Sequence, residues 1–278
     1  MDNSLAYQSE TISYEELDRL NTLIDNIYGF HFSDYSPASL KRRVSRIMSL
    51  QKLSVFELRD RLTNNPDFFQ QFVREITVNV TEMFRDPNFY KTLKAVVLPY
   101  MASFPKVNVW HAGCSTGEEL YSFAILFKEA NLYERSFFYG TDLNADVLEK
   151  AKDGIYELPK MKVNAENYTQ TGASNTLSDY YTAKYEAASL HHSLKKNVLF
   201  STHNLVTDGV FNEFQLISCR NVLIYFNLEL QLKVIDLFYR SLANFGFLCL
   251  GAKETLRTED LKRFKIVDKH NRIYQKIA

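Results

Sequence analysis

The spacing of apolar and polar residues divides this chain into two regions of different character. Between Ser13 and about Val78 the apolar residues recur with helical periodicity, and start signals precede several of the predicted helices. The pairs Ser13–Glu16 and Ser54–Glu57 have the spacing of a capping box, in which two side chains satisfy free N–H groups of the first turn. The segments "SPASL" and "NPDFF" each place a capping residue before a proline. This region is predicted to be a bundle of short helices.

A second region begins with a helix at Asp86-Pro87, expected to run to about Phe104, after which apolar strands alternate with amphipathic helices. The predicted strands are "VNVWHAGC", "SFFYGTDL", "NVLFSTHNL", "FQLISCRN" and "GFLCLGA", followed by a final pair in "FKIVDKHNRIYQKI". The predicted helices are "GEELYSFAILFKEAN", "NADVLEKAKDG" and the segment from about Leu228 to Leu242. Such alternation is typical of a doubly wound α/β sheet, mostly parallel and covered on both faces. The final pair is expected to add an antiparallel edge hairpin.

We therefore expect two domains, an all-α N-terminal domain over residues 1–80 and an α/β domain over residues 81–278. The interval from Lys160 to Lys196 interrupts the α/β pattern because it is richer in Ser, Thr, Asn and Tyr. Long excursions from a compact domain are usually functional or disordered. This interval is predicted to leave the sheet as a loop with small strands, which together would form an inserted β-subdomain.

Composition and charge exclude several classes of function. Lysine plus arginine and aspartate plus glutamate number 33 each, so the net charge gives no indication of nucleic-acid binding. No apolar run approaches the ~20 residues that cross a bilayer, and the polar N-terminus does not resemble a secretory signal. The three cysteines lie far apart without a CxxC pair, which indicates a reducing cytoplasm and no zinc site. His191 and His192 have no accompanying ligand cluster, so no metal site is predicted.

The segment "HAGCSTGEELYS" indicates what the sheet binds, because a doubly wound sheet holds its ligand at the carboxyl ends of its strands. The loop contains Gly113 and Gly117 but neither G-x-G-x-x-G nor a P-loop lysine, and Glu118 and Glu119 would repel a polyphosphate. S-adenosylmethionine carries a sulfonium, an ammonium and no phosphate, so it suits these charges. Asp142 ends the next strand and could accept hydrogen bonds from the ribose hydroxyls. Each acid is also common at helix starts and turns, so these assignments depend on their combination.

Four segments together resemble the CheR-type chemotaxis receptor methyltransferases, which are protein-glutamate O-methyltransferases. They are "NVTEMFRD", "AGCSTGEELYS", "TDLNADVLEKAKDGIY" and "CRNVLIYF". Their order and spacing match, and the helical region fits the N-terminal domain of that family, so the resemblance covers nearly the whole chain. It implies a class I methyltransferase fold with a small inserted β-subdomain and S-adenosylmethionine as the cofactor. It also implies that the acceptors are glutamate side chains of a chemoreceptor-like protein.

The resemblance implies roles for ten residues at positions that match the family's motifs. Those expected to bind the cofactor are Asn79, Thr81 and Arg85 at its methionine end, Glu118 at the ammonium, Asp142 at the ribose, Asn204 and Leu205 at the adenine, and Arg220 and Asn221 as pocket lining. Arg85 and the ring of Tyr225 are expected next to the reacting methyl group. The chain departs from the family pattern at Met83, where a second aromatic is common, and at Asn144, where a second aspartate is common. Neither departure removes a charge that the cofactor requires.

Methyl transfer from a sulfonium to a carboxylate is an in-line displacement that needs no general base. A glutamate with a reference pKa of about 4.3 is already ionised at neutral pH, so the absence of a Ser/His/Asp or Cys/His arrangement is expected. The site must instead orient the two reactants, which can supply roughly 7 to 11 kcal/mol of a barrier. Without the resemblance, Arg85 would be interpreted as part of a structural salt bridge and Tyr225 as a core aromatic.

A protein acceptor also needs a docking surface, and "SLKRRVSRIMSLQK" offers a basic helix. This helix carries Lys41, Arg42, Arg43 and Arg46, which could attract the acidic methylation helices of a chemoreceptor. The alternative is an ordinary solvated helix face. Two other functions remain open at this point: a non-catalytic signalling module that binds S-adenosylmethionine or its demethylated product, and a methyltransferase with a different acceptor.

Overall fold

The computed structural model describes residues 11–28, 32, 35–76 and 81–277, except the side chains of Gln70 and Arg74. Within these residues the chain forms two compact units. One comprises Met1–Val78 with Ile224–Gln231, and the other comprises Asn79–Leu223 with Leu232–Ala278. None of the described helices is both long and apolar enough to span a membrane.

The first unit contains the predicted helices. They are α1 (Tyr14–Tyr28), α2 (Pro37–Gln51), α3 (Val55–Asn64) and α4 (Pro66–Ile76). The capping boxes are present: Glu16 N donates to Ser13 Oγ at 3.2 Å, and Ser54 with Glu57 forms the same reciprocal pair. The side chain of Ser36 makes no capping hydrogen bond. Proline alone therefore marks the start of α2, because its missing N–H costs nothing in the first turn.

The second unit opens with a helical segment that a proline interrupts. The segment consists of α5 (Pro87–Thr92), a π-helical turn (Leu93–Val97) and α6 (Leu98–Met101). Pro99 has no N–H to donate to the carbonyl four residues earlier, so a regular α-helix would leave that carbonyl unpaired. The π turn accommodates this, since Leu98 N donates five residues back to Leu93 O. The predicted helix is therefore present but ends three residues early.

The remaining elements alternate as the sequence pattern predicts. In chain order they are β1 (Val107–Ala112), α7 (Glu118–Glu129), β2 (Ser136–Asp142), α8 (Ala145–Asp153), β3 (Ile155–Glu157), α9 (Leu158–Gln170), β4 (Tyr181–Lys184), β5 (Ala187–Leu190), β6 (Val198–Thr202), β7 (Phe214–Cys219), α10 (Leu228–Ser241), β8 (Leu242–Leu250), β9 (Phe264–Asp268) and β10 (Ile273–Lys276). Gly154 ends α8 in a left-handed conformation at φ 59°, as its C-cap position predicts.

Seven of these strands form one sheet in the order β6-β2-β1-β7-β8-β10-β9. All pairs are parallel except those of β10, which runs antiparallel to both β8 and β9. Every residue of β7 is buried, as expected for a strand covered on both faces. The predicted doubly wound sheet with an antiparallel hairpin is confirmed. Its strand order reverses between β1 and β7, so the loops after these strands border the switch-point crevice.

The inserted segment differs from the prediction in its first part. Instead of a loop it begins with the 13-residue helix α9, and a three-stranded sheet of order β3-β5-β4 accompanies it. The buried side of α9 carries Met161, Asn164 and Tyr168, which have helical spacing. The expectation of a loop was wrong because a polar asparagine occupies one of these buried positions and hides the apolar periodicity.

Candidate active site

The loop after β1 is built around two glycines with positive φ. Gly113 N and Cys114 N both donate to Thr141 O on β2, at 2.8 and 2.9 Å, which closes the loop over the neighbouring strand. A Cβ on Gly113, where φ is 72°, would lie 2.5 Å from Val222 Cγ2. Gly117 at φ 88° then starts α7. Only glycine combines this backbone conformation with so close an approach to the next loop.

Asp142 lies at the carboxyl end of β2 and is fixed by backbone donors. Its Oδ2 accepts from Ser115 N at 2.9 Å, and its Oδ1 accepts from Asn144 N at 3.0 Å. Burial raises the pKa of this carboxyl above its ordinary value, while the backbone hydrogen bonds oppose the rise. The side chain is therefore held in one orientation beside the glycine loop, where it can accept further hydrogen bonds.

Glu118, the first residue of α7, is a buried acid without a cationic partner. Only 7% of the residue is exposed, and burial raises the pKa of its carboxyl to about 7. Thr116 Oγ1 donates to Glu118 Oε2 at 2.6 Å, and no lysine or arginine among the described residues forms an ion pair with it. A buried carboxylate that lacks a counterion favours the binding of a cation.

Glu119, the next residue, is in the opposite electrostatic situation. Although burial would raise its pKa, hydrogen bonding to His111 and the charge of Arg220 hold the pKa at about 2. The distances are 3.2 Å to His111 Nδ1, 3.2 Å to Arg220 Nη1 and 2.6 Å to Ser218 Oγ. The sequence pattern treats the two acids alike. The structure leaves one available to a ligand and pairs the other within the protein.

Arg220 follows β7 and directs its guanidinium to other protein groups. Nη2 donates to Asp86 Oδ2 at 2.7 Å and Nη1 donates to Glu119 Oε2 at 3.2 Å, while Arg85 O lies 3.4 Å from Nη1. The guanidinium also stacks over Phe89 at 4.0 Å from the ring centroid. Arg220 therefore connects the end of β7 to the backbone of the loop that carries Arg85.

The loop over residues 81–86 contains the expected "NVTEMFRD" positions that the structure describes. Thr81 and Arg85 are half-buried, whereas Asn79 lies outside the described residues. Phe84 and Asp86 have positive φ values of 55° and 59°, an uncommon conformation that surrounding contacts must hold. Phe84 N donates to Ser122 Oγ on α7 at 2.9 Å, which supplies one such contact.

An asparagine of the inserted segment also supports this loop. Asn164 Oδ1 on α9 accepts from Met83 N at 3.1 Å, and Asn164 is buried. Sequence reasoning missed this residue because the segment around it matches the family poorly. It also missed Thr116, whose position two residues before Glu118 was the available signal.

The remaining predicted cofactor residues also follow strands of the sheet. Asn221 comes after β7 with φ 63°, and its N–H donates to Glu254 Oε2 at 3.0 Å. Asn204 comes after β6 and closes a turn, since its Oδ1 accepts from Val206 N at 2.9 Å. Leu205, the next residue, is buried. These residues lie at carboxyl ends of strands, as the predicted cofactor site requires.

The basic helix α2 needs one correction, which concerns Arg43. This residue is 8% exposed, donates from Nη1 to Ile76 O, and stacks on the ring of Tyr225 at 4.2 Å from the centroid. Arg43 is therefore not part of an exposed basic face, because its guanidinium is used inside the first unit. Arg42 and Arg46 are exposed, and Lys41 Nζ lies 4.4 Å over the ring of Tyr14.

The described residues contain no cluster of three or more His, Cys, Asp or Glu side chains arranged to hold a metal. The acids that the crevice offers fit a different group. Glu118 provides a buried negative charge for an ammonium, and Asp142 provides fixed oxygens for ribose hydroxyls. The chain therefore carries side chains that fit S-adenosylmethionine.

Comparison with known proteins identifies the family. Residues 79–273 match the family model described as CheR methyltransferase, SAM binding domain, and residues 15–77 match CheR methyltransferase, all-alpha domain. A Pseudomonas putida protein named "Putative methyltransferase Cher3" is 44% identical over 251 residues, which cover 90% of this chain and 92% of that protein. A chemotaxis protein methyltransferase of Listeria monocytogenes is 30% identical, over 82% of this chain and 85% of the relative. One from Borreliella burgdorferi is 28% identical, over 88% and 90%.

These matches confirm the predicted class of enzyme, its class I methyltransferase fold and its cofactor. The observed strand order, with one antiparallel strand near an edge, agrees with that fold. The chain belongs to the CheR methyltransferase family and is an S-adenosylmethionine-dependent methyltransferase.

Proposed function

We propose that this enzyme methylates glutamate side chains of a chemoreceptor-like protein in the cytoplasm, as part of chemotactic or related signal transduction. Relatives named chemotaxis protein methyltransferases support the acceptor. The three cysteines are buried free thiols, which is compatible with a reducing compartment. The observation that carries the proposal is the buried, cation-free carboxylate of Glu118 beside the glycine loop.

S-adenosylmethionine, when bound, supplies an electrophilic methyl group on a sulfonium. We propose that Glu118 binds its ammonium, that Asp142 accepts from its ribose, and that Asn79, Thr81 and Arg85 hold its methionine end. For the adenine and the pocket walls we propose Asn204, Leu205, Arg220 and Asn221. The fixed geometry of the strand ends supports this assignment, because a cofactor must be held rigidly for an in-line transfer.

The acceptor carboxylate needs orientation rather than deprotonation. We propose that Arg85 pairs with it and that the ring of Tyr225 excludes water from the transferring methyl group, as the family resemblance implies. Arg220 holds the carbonyl of Arg85, which supports a fixed position for this residue. A charged donor placed in advance costs no reorganisation when the transition state forms.

For docking of the acceptor we propose the exposed side of α2, with Arg42 and Arg46 as the main charges and Lys41 beside them. Exposed arginines attract an acidic helix by charge complementarity and raise the rate of encounter. The double substitution Arg42→Glu with Arg46→Glu is expected to weaken methylation of the protein acceptor and to leave cofactor affinity unchanged. Equal activity toward that acceptor after the reversal would contradict this assignment.

We also propose that the helical domain ends and the methyltransferase domain begins near residue 80. The family matches meet between residues 77 and 79, which supports that boundary. Residues 224–231 cluster with the helical unit, so the boundary concerns the main chain of the N-terminal domain and not this later segment.

The test of the function uses tritiated S-adenosylmethionine and candidate receptor fragments. Base-labile label on a receptor identifies methyl esters of carboxylates and supports the proposal. Base-stable label would indicate a different acceptor group. Binding of the demethylated product without transfer to any acceptor would indicate a signalling module. Arg85→Gln is the matched negative control, since it is expected to retain product binding while losing transfer.

A further inference from the structure

A cleft of about 680 Å³ lies in the second unit, beside the loop that carries Arg85. We call it the basic cleft, and the side chains that matter to its chemistry are Asp86, Phe89, Arg220, Lys269, His270 and Arg272. Neither Glu118 nor Asp142 lines it. It is therefore separate from the acids proposed to hold the ammonium and ribose of the cofactor.

The register of the sheet places this cleft at the carboxyl edge, where the chemistry takes place. Cys219 at the end of β7 pairs with Leu250 at the end of β8. Leu250 N in turn donates to Arg272 O at 3.0 Å, because antiparallel β10 starts beside the end of β8. The β9–β10 turn therefore lies along the same edge as Arg220. A ligand in the cleft would lie next to Asp86 and thus one residue from Arg85.

The β9–β10 turn is rigid before any ligand binds. Asp268 Oδ1 accepts from His270 N at 2.8 Å and from Asn271 N at 3.0 Å. Asn271 Nδ2 donates to Thr92 Oγ1 at 3.0 Å, which attaches the turn to α5. Arg272 has a positive φ of 55°, which this network holds in place. A preorganised turn can present its side chains without an ordering cost on binding.

The charges of the cleft are not balanced within the protein. Asp86 and Arg220 form an ion pair at 2.7 Å and largely neutralise each other. Lys269 and His270 are exposed, and neither side chain has a hydrogen-bond or ion-pair partner among the described residues. Arg272 reaches only neutral oxygens, such as Thr255 Oγ1 at 3.4 Å. The cleft therefore presents excess positive charge directly beside the residue proposed to receive the acceptor carboxylate.

We propose that the basic cleft binds an acidic segment of the acceptor protein that flanks the glutamate to be methylated. This inference rests on the proposed function, because it assumes an acceptor that is a polypeptide. The size of the cleft is that of sites which hold several side chains rather than one small anion. Charges spread along a turn also suit an extended row of carboxylates, whereas a single anion is usually enclosed by convergent donors.

The first test measures binding of a labelled poly-L-glutamate peptide at low ionic strength, where exposed charges are least screened. The variant is Lys269→Glu with His270→Glu, and the matched control is Lys106→Glu. Lys106 is an exposed, unpartnered lysine that precedes β1 at the opposite, amino edge of the sheet. All three proteins carry Arg42→Glu and Arg46→Glu so that peptide bound to α2 does not obscure the result.

The double reversal is expected to weaken peptide binding about tenfold, since each change replaces an attraction with a repulsion, and the control is expected to bind normally. Equal binding by the double reversal and the control would overturn the proposal. Displacement of the peptide by inorganic phosphate or a single-stranded oligonucleotide at lower concentration would also overturn it, because the cleft would then prefer another anion.

The second test measures methyl transfer to the acceptor protein. The Lys269→Glu/His270→Glu variant is expected to raise KM for that protein about tenfold while its affinity for S-adenosylhomocysteine stays normal. If the wild-type enzyme methylates and KM does not change, the cleft assignment fails and the proposed function stands. If no acceptor gains a methyl ester but peptide binding depends on Lys269 and His270, the proposed function fails and the cleft remains a site for acidic peptides.

Discussion

Replacing Glu118 with glutamine is expected to stabilise the free protein and to weaken cofactor binding. The carboxyl is 7% exposed and makes a single described side-chain hydrogen bond, from Thr116. Glutamine has nearly the same shape and can accept that hydrogen bond through its own oxygen. The substitution therefore removes the charge and little else, so its effects report on the buried charge itself.

The size of the stability effect follows from the pKa. Burial raises the pKa of Glu118 from 4.5 to about 7, so the folded protein holds a proton that the unfolded chain would release. Stability contributed by this group is therefore lost as pH rises between those two values, and the loss reaches ~3 kcal/mol above the higher one. Glu118→Gln avoids this loss. We expect it to unfold like the wild type near pH 4.5 and to be more stable by ~3 kcal/mol near pH 8.

Binding should change in the opposite direction, because an ammonium pairs only with the ionised form. At about pH 7 half of the carboxyls are protonated, so binding should release about half a proton per cofactor. Below that pH the affinity should fall by up to about tenfold per pH unit. Glu118→Gln should bind roughly a hundredfold more weakly and without this pH dependence, since it leaves the ammonium without its charged partner.

Denaturant unfolding at the two pH values measures the first effect. Calorimetry with S-adenosylhomocysteine, which retains the ammonium, measures the second. Running the calorimetry in two buffers with different ionisation enthalpies gives the number of protons released. Glu166→Gln is the control, because Glu166 is an exposed acid on α9 with no described partner. A wild-type affinity that is flat across this pH range, or normal binding by Glu118→Gln, would refute the assignment of Glu118 to the ammonium.

Three further substitutions test the surrounding geometry. Glu119→Gln should cost ~3 kcal/mol of stability at neutral pH, because a partner of Arg220 loses its charge, and denaturation should show the difference shrinking below about pH 4.5. Gly113→Ala should lower both stability and cofactor affinity, since its Cβ meets Val222 Cγ2 at 2.5 Å where φ is 72°. Adding Val222→Ala should restore only part of the loss, because ~1 to 2 kcal/mol of backbone strain would remain. Arg85→Gln should lower kcat more than product affinity in label-transfer kinetics, whereas equal losses would assign Arg85 to cofactor binding alone.

The main elements of the fold could be predicted because their signals are local. Buried parallel strands such as β7 are continuous apolar runs, and capping pairs such as Ser54 with Glu57 mark helix starts. The helix α9 could not be predicted, because its buried side includes Asn164, whose partner Met83 N lies 81 residues away in sequence. A polar residue with a distant partner looks like a surface residue until that partner is known.

The correction at Arg43 has a different cause, because the sequence did contain the signal. Leu40, Val44 and Ile47 mark the buried stripe of α2, and Arg43 lies three residues after Leu40 and four before Ile47. Its position on the helix is therefore that of a core residue. Its chemical type suggested the surface, and the ring of Tyr225 together with Ile76 O provides the environment that permits burial.

The contrast between Glu118 and Glu119 links the stability of the crevice to its function. Both acids are buried at the start of one helix, so each requires a positive partner. Arg220 is the nearby cation that follows β7, and Glu119 and Asp86 engage both of its terminal nitrogens. That engagement fixes the loop carrying Arg85 and leaves no described protein cation paired with Glu118. The unfavourable burial of Glu118 is thus maintained by the same network that positions the reaction, and binding of an ammonium relieves it.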